Sequence, residues 1–193
     1  MASPTSVAAA PAEYEKSLAS RGAAMVDVVL RVLLFIGSLT AVVVMVTSKQ
    51  TELVPVPFPP FGRLPSTATF TDTPAFVYFV AALSTAGLYS IITTLLSISA
   101  LSKPGYSKTW ALYIVAMDVV MLAIVAAASG TAGGVAYIGF RGNSHTRWVK
   151  ICNIFDKFCQ HAAGAILVSM FAAIVLILLL LHSVFTMYRK IPN

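Results

Sequence analysis

Four long apolar runs constrain this chain more than any other feature. They lie at about 26–47, 75–101, 110–138 and 162–187. A helix rises 1.5 Å per residue and the hydrocarbon core of a bilayer is roughly 30 Å thick, so about 20 apolar residues suffice to cross it. Each run meets that length. A soluble domain has no use for four of them, and with 10% charged residues the chain cannot build a water-facing surface, for which about a quarter is typical. In lipid, only helices and closed barrels satisfy every backbone group. The short alternating segments of a barrel are missing. The expected fold is therefore all-α: a four-transmembrane-helix bundle.

The segments between the runs set the domain organisation. Residues 1–25 read as a cytosolic N-terminal tail, rich in Ala, Ser and Pro and expected to be disordered. That tail holds Glu13, Glu15, Lys16 and Arg21 and no apolar leader core, so the first run is expected to be a retained span. Residues 48–74 carry Pro55, Pro57, Pro59, Pro60 and Pro65. Proline at that density argues against helix and central strand and predicts an extended or polyproline loop. Residues 102–109 contain Pro104-Gly105 between Lys103 and Lys108 and predict a tight turn. Residues 139–161 form a longer polar loop, and 188–193 a short second tail. An even number of spans puts both termini on one side. Lysine plus arginine divides six against six between the two sides, so the positive-inside rule does not decide orientation. Two cues place the termini and 102–109 in the cytosol, with 48–74 and 139–161 outside. The terminal-side charges hug the span ends, and both cysteines lie on the opposite side, where a disulfide is expected.

Arg31 and Asp118 are charged residues inside spans, a placement that costs about 2.5–3.5 kcal/mol each on insertion scales. Their depths from the terminal side are about 8 and 12 Å at 1.5 Å per residue. An arginine side chain bridges that difference, so a structural ion pair within the bundle is the favoured reading. Two alternatives compete. Asp27 lies one turn before Arg31 on the same helix face, and Arg31 could instead extend to the headgroups. A proton or ion path would need more intramembrane polar groups than the spans supply.

Small residues recur every four positions in the second run (Ala82, Ala86, Ser90, Thr94) and in the third (Ala126, Gly130, Gly134). That spacing lets helix backbones approach closely. Packing within one chain is the plainer reading, and a face for oligomers the sharper one. In 139–161, Trp148, Ile151, Cys152, Phe155, Phe158 and Cys159 fall at helical spacing and suggest a short surface helix. Cys152 and Cys159 would be about 10 Å apart on one continuous helix, beyond the roughly 7 Å limit for a disulfide. If they pair, the helix must break between them. A zinc site from these cysteines with His145 and His161 matches no standard spacing, and His182 reads as packed or interfacial. No cofactor is expected. Phosphate-binding loops, nucleophile elbows and zinc-hydrolase motifs are absent from the sequence. Basic residues do not interleave with aromatics, so nucleic acid is not an expected partner.

Taken together, these residues resemble the Casparian strip membrane domain protein-like (CASP-like) proteins of land plants, family-one type, which are related to the MARVEL four-helix proteins. The segments that carry the resemblance are RVLLFIGSLTAVVVMVTSKQT with Arg31, TPAFVYFVAALSTAGLYS, MDVVML with Asp118, GNSHTRWVKICNIFDKFC, and the ending SVFTMYRKIP. They extend over about 18–192. The resemblance implies a plasma-membrane protein with cytosolic termini, assembling into homo- and hetero-oligomers that organise membrane domains and recruit cell-wall-modifying enzymes. It also implies that Arg31 and Asp118 are the family's hallmark polar pair. The proline-rich 48–74 segment differs from the founders' distinctive first extracellular loop, so the general scaffold role transfers better than the strip-specific one. The expected function is a non-enzymatic scaffold whose partners are the lipid bilayer and related chains. A small channel or transporter, or an accessory subunit of one, is the alternative.

Overall fold

The structure, a computed structural model, describes residues 6–55, 62–102 and 108–189. Four helices form its frame: α1 (Ser6–Thr47), α2 (Pro74–Ser102), α3 (Lys108–Arg141) and α4 (Asp156–Arg189). All four contain segments long and apolar enough to cross a membrane, of 27, 26, 30 and 34 residues. At 1.5 Å per residue, α4 is about 50 Å long and overshoots the hydrocarbon core. α1 packs on α2 and α4, and α3 packs on the same two neighbours. α1 and α3 therefore stand on one diagonal of the bundle.

The apolar pattern runs opposite to that of a water-soluble bundle. Large side chains such as Leu88, Leu95, Leu167, Ile174 and Leu181 face outward, whereas Arg31 and Asp118 are 1% and 0% exposed. Lipid solvates the leucines, and the interior solvates the charges. Small residues dominate the contact lines, including Ala41, Ala86, Ala128, Ala132, Ala165 and Ala172. A Cβ added at Gly37 would meet Ala172 Cβ at 3.6 Å, and one at Gly87 would meet Ser38 Cβ at 3.7 Å. Dispersion contacts at this range, rather than hydrophobic expulsion from water, hold helices together in lipid.

Three segments depart from the sequence expectation. The N-terminal tail expected to be disordered is helical from Ser6 and continuous with α1. Its alanines are the strongest helix formers, and the span below supplies a nucleus to propagate from. The proline-rich loop is a β-hairpin where it is described. β1 (Lys49–Pro55) pairs antiparallel with β2 (Arg63–Thr69), Lys49 opposite Thr69 and Pro55 opposite Arg63. With two strands every strand is an edge, which is where a strand accommodates Pro65. Pro57, Pro59 and Pro60 lie outside the described residues, as do 103–107 of the expected turn and the end of the second tail. Finally, no single surface helix spans 148–159. A one-turn 3-10 segment, Ile151–Asn153, is followed by a break, and α4 starts at Asp156.

The helix ends have local causes. Pro74 opens α2, where its missing N–H costs nothing. The Thr73 carbonyl accepts from Phe76 and Val77 N–H at 2.9 and 3.2 Å. α3 stops at Gly142, whose φ of +70° is the left-handed value that favours glycine. Its N–H donates to Ile138 O at 2.7 Å. A Cβ there would meet Trp148 O at 2.9 Å. Asn143 and Trp148 then exchange two backbone hydrogen bonds of 2.9 Å, and the Asn143 side chain accepts from the His145 N–H at 3.0 Å.

Candidate functional site

The intramembrane charges form one connected cluster. Arg31 donates from Nε to Asp27 Oδ2 at 3.0 Å. Its two terminal nitrogens face the two oxygens of Asp118 at 3.5 Å each. One guanidinium thus lies between a carboxylate of its own helix and one across the bundle diagonal. The sequence left these two partners as alternatives, and the geometry uses both. The fork geometry of arginine allows this, because Nε and the two terminal nitrogens point in different directions. Arg31 does not extend to the headgroups.

Hydroxyls from α2 complete the cluster. The Tyr89 phenol donates to Asp118 Oδ1 at 2.6 Å, and Ser97 donates to Asp27 Oδ2 at 2.6 Å. Ser90 donates to the backbone carbonyl of Arg31. Three helices are therefore joined by polar bonds around two acids and one base. A buried charge is tolerable only when its remaining hydrogen-bonding capacity is used, and α2 supplies that capacity. A second, smaller link joins α3 to α4 through the Ser129 and Ser169 hydroxyls at 2.8 Å.

The contribution of α2 was the part missed by sequence reasoning. Tyr89, Thr93 and Ser97 recur at four-residue spacing in an apolar helix, and that polar stripe is the signal that would have found it. Of the small residues in α2, Ala82, Ala86 and Ser90 are buried between helices. The stripe in α3 lies elsewhere. Ala126, Gly130 and Gly134 are exposed, and a Cβ added at Gly130 or Gly134 would meet nothing within 4 Å.

At the other end of the bundle, Cys152 and Cys159 form a disulfide with Cα atoms 5.7 Å apart. The break between Ile151–Asn153 and α4 brings them within reach. Their sulfurs are joined to each other, so they are not free to ligate a metal with His145 and His161. The His161 ring instead contacts Lys157 O at 2.7 Å. Gln50 of β1 clamps the start of α4. Its amide donates to Asp156 Oδ1 at 3.0 Å and accepts the Phe158 N–H at 2.9 Å. That satisfies one of the orphan donors of a helix N-terminus. No local sequence signal connects residues more than a hundred positions apart, so this clamp was not legible.

Four apolar helices closed around a buried arginine–carboxylate cluster, with a disulfide-stapled cap, define a multi-pass integral membrane protein. Its family follows from comparison with known proteins. The family model described as the Casparian strip membrane protein domain matches residues 20–175. CASP-like protein 1D1 of Populus trichocarpa is 58% identical over 168 residues, 87% of this chain and 85% of that protein. CASP-like protein 1 of Panax ginseng is 64% identical over 149 residues, 77% of this chain and 100% of that protein. CASP-like protein IN26 of Ipomoea nil is 51% identical over 187 residues, 95% of this chain and 91% of that protein. No solved structure gives a significant match. The chain belongs to the Casparian strip membrane protein family, as a CASP-like protein.

Proposed function

We propose that this chain is a non-enzymatic scaffold of the plasma membrane. It self-associates and joins related family members, and its extracellular loops recruit partners such as cell-wall-modifying proteins. One observation carries the reading: the Ala126, Gly130 and Gly134 face of α3 stands exposed, with open space where a Cβ would be at both glycines. A face of this kind admits a second helix at short range. The interior supports the same reading, because the two acids and the base are bonded to one another and to α2 hydroxyls. In this arrangement Arg31 and Asp118 set the bundle and α3 presents the assembly surface. Both termini lie in the cytosol, with the hairpin and the disulfide outside.

The test is photobleaching recovery of a tagged chain in plant plasma membrane, beside Gly130→Leu/Gly134→Leu. Slow recovery for the wild type and fast recovery for a variant that still reaches the membrane is the expected result. Fast recovery for both, or solute flux into liposomes holding the pure protein, would overturn the scaffold reading and favour a channel or transporter.

A further inference from the structure

A cavity of about 380 Å³ opens at the hairpin end of the bundle, where the starts of α2 and α4 meet the end of α3. Its inner wall is apolar and buried, formed by Phe76, Phe158 and Ala162. Phe76 and Phe158 meet edge to face with ring centroids 6.1 Å apart, which fixes that wall. The Cys152–Cys159 disulfide lines one side. Tyr137 and Phe140 stand exposed at the mouth, the aromatic arrangement of a membrane interface. Apolar cavities exclude water and take apolar guests, and the solvent facing this bundle is lipid.

The polar groups are few and gathered. Thr69, Asp72 and Thr73 form one edge, Tyr137 adds a phenol, and no lysine or arginine is among the described residues that line the cavity. Asp72 Oδ2 accepts from the Thr69 N–H at 2.7 Å and from the Thr69 hydroxyl at 3.0 Å. The second oxygen, Oδ1, takes no part in that cap. A carboxylate edge without a cation repels a phosphate headgroup and accepts from a neutral hydroxyl. The shape narrows the guest further. The lining residues of each helix fall within six positions, between Val135 and Phe140 on α3 and between Phe158 and Ala163 on α4. That is roughly 8 Å along the axis at 1.5 Å per residue. So short a stretch of each helix suits a compact fused-ring body, whereas an extended acyl chain needs a slot several turns long.

We infer that this cavity binds a membrane sterol from the leaflet on the hairpin side, its ring system against Phe76 and Phe158 and its hydroxyl donated to Asp72. The reading is independent of self-association through α3.

The experiment uses the full-length protein in phosphatidylcholine nanodiscs with a photoreactive, alkyne-tagged sterol, and maps the labelled peptides. Labelling is expected at Tyr137–Phe140 and Ile151–Ala163, displaced by unlabelled sterol about tenfold better than by its 3-ketone, an advantage of roughly 1.4 kcal/mol. Asp72→Asn keeps an oxygen for the Thr69 cap and puts an amide donor where the hydroxyl was accepted, so the alcohol's advantage over the ketone should vanish. Ala163→Phe, at an exposed position of the lining, should cut labelling about tenfold with folding unchanged by size-exclusion elution. Labels spread evenly over lipid-facing residues such as Leu88 and Leu167 would overturn the assignment. So would equal displacement by alcohol and ketone in the wild type, or labelling of the same peptides by photoreactive phosphatidylcholine that sterol does not displace. The wild-type competition decides the matter even where a variant fails to fold.

Discussion

The Tyr89 hydroxyl lies 2.6 Å from Asp118 Oδ1, closer than either terminal nitrogen of Arg31, which stand at 3.5 Å. The short contact to this buried carboxylate is thus a neutral phenol on the adjacent helix. A hydrogen bond to a charged group contributes about 1.5–3 kcal/mol. Tyr89→Phe keeps the ring and deletes only that bond. The expected outcome is a drop in stability of about that size, read as a lower thermal midpoint in detergent. An unchanged midpoint would show that Asp118 is adequately held by Arg31 alone.

The ion pair itself calls for a double-mutant cycle. Arg31→Met leaves the buried Asp118 and the half-buried Asp27 without their cation, and Asp118→Leu leaves the guanidinium with Asp27 only. Breaking a buried pair from one side costs about 3–5 kcal/mol, whereas replacing both partners by apolar residues can be nearly neutral. The double variant is therefore expected to be more stable than the sum of the singles by about 1–3 kcal/mol. Additive losses would mean that the two side chains act separately.

Two glycines in similar sequence settings should behave in opposite ways. A Cβ at Gly87 meets Ser38 and Phe35 at 3.7 and 4.0 Å, whereas one at Gly130 meets nothing within 4 Å. Gly87→Leu forces a large side chain between α1 and α2 and is expected to cost about 1–3 kcal/mol or more through overpacking. Gly130→Leu is expected to leave the thermal midpoint within about 0.5 kcal/mol of the wild type, while weakening self-association. Equal loss of stability in both variants would place the α3 face in contact with its own chain.

The disulfide provides a test of sidedness. On intact cells, a membrane-impermeant reductant followed by an impermeant maleimide should label Cys152 and Cys159, and the double Cys→Ser variant should not be labelled. Labelling only after the membrane is opened would reverse the proposed orientation. Closing so short a loop stabilises by about 2–3 kcal/mol in the chain-entropy account. The same reduction should therefore lower the thermal midpoint of the purified protein.

What the sequence revealed follows from what membranes demand locally. Span length and apolarity are properties of contiguous residues, so Val26–Thr47 or Trp110–Ile138 can be read directly. Arg31 and Asp118 are conspicuous for the same reason, because a charge in an apolar run needs a partner. Proline density in 48–74 was over-read. It signals loss of ladder donors, and an edge strand forfeits those without harm, so the pairing of Leu53 with Pro65 was hidden. Arg31 bonding to two acids could not be read either, since nothing in one sequence fixes the rotation of α1 about its own axis. The Gln50 clamp on α4 and the outward turn of the Gly130 stripe are likewise three-dimensional facts. They depend on which helix stands beside which.

The hairpin is anchored at its base. Its ladder runs from Lys49–Thr69 to Pro55–Arg63, and Gln50 fastens its base to α4. Pro55 and Arg63 are thus held side by side at the far end of a ladder whose base is tied to α4. The Gln50 clamp uses no residue of the stretch between those two positions, so the base of the hairpin stands independent of what is written there.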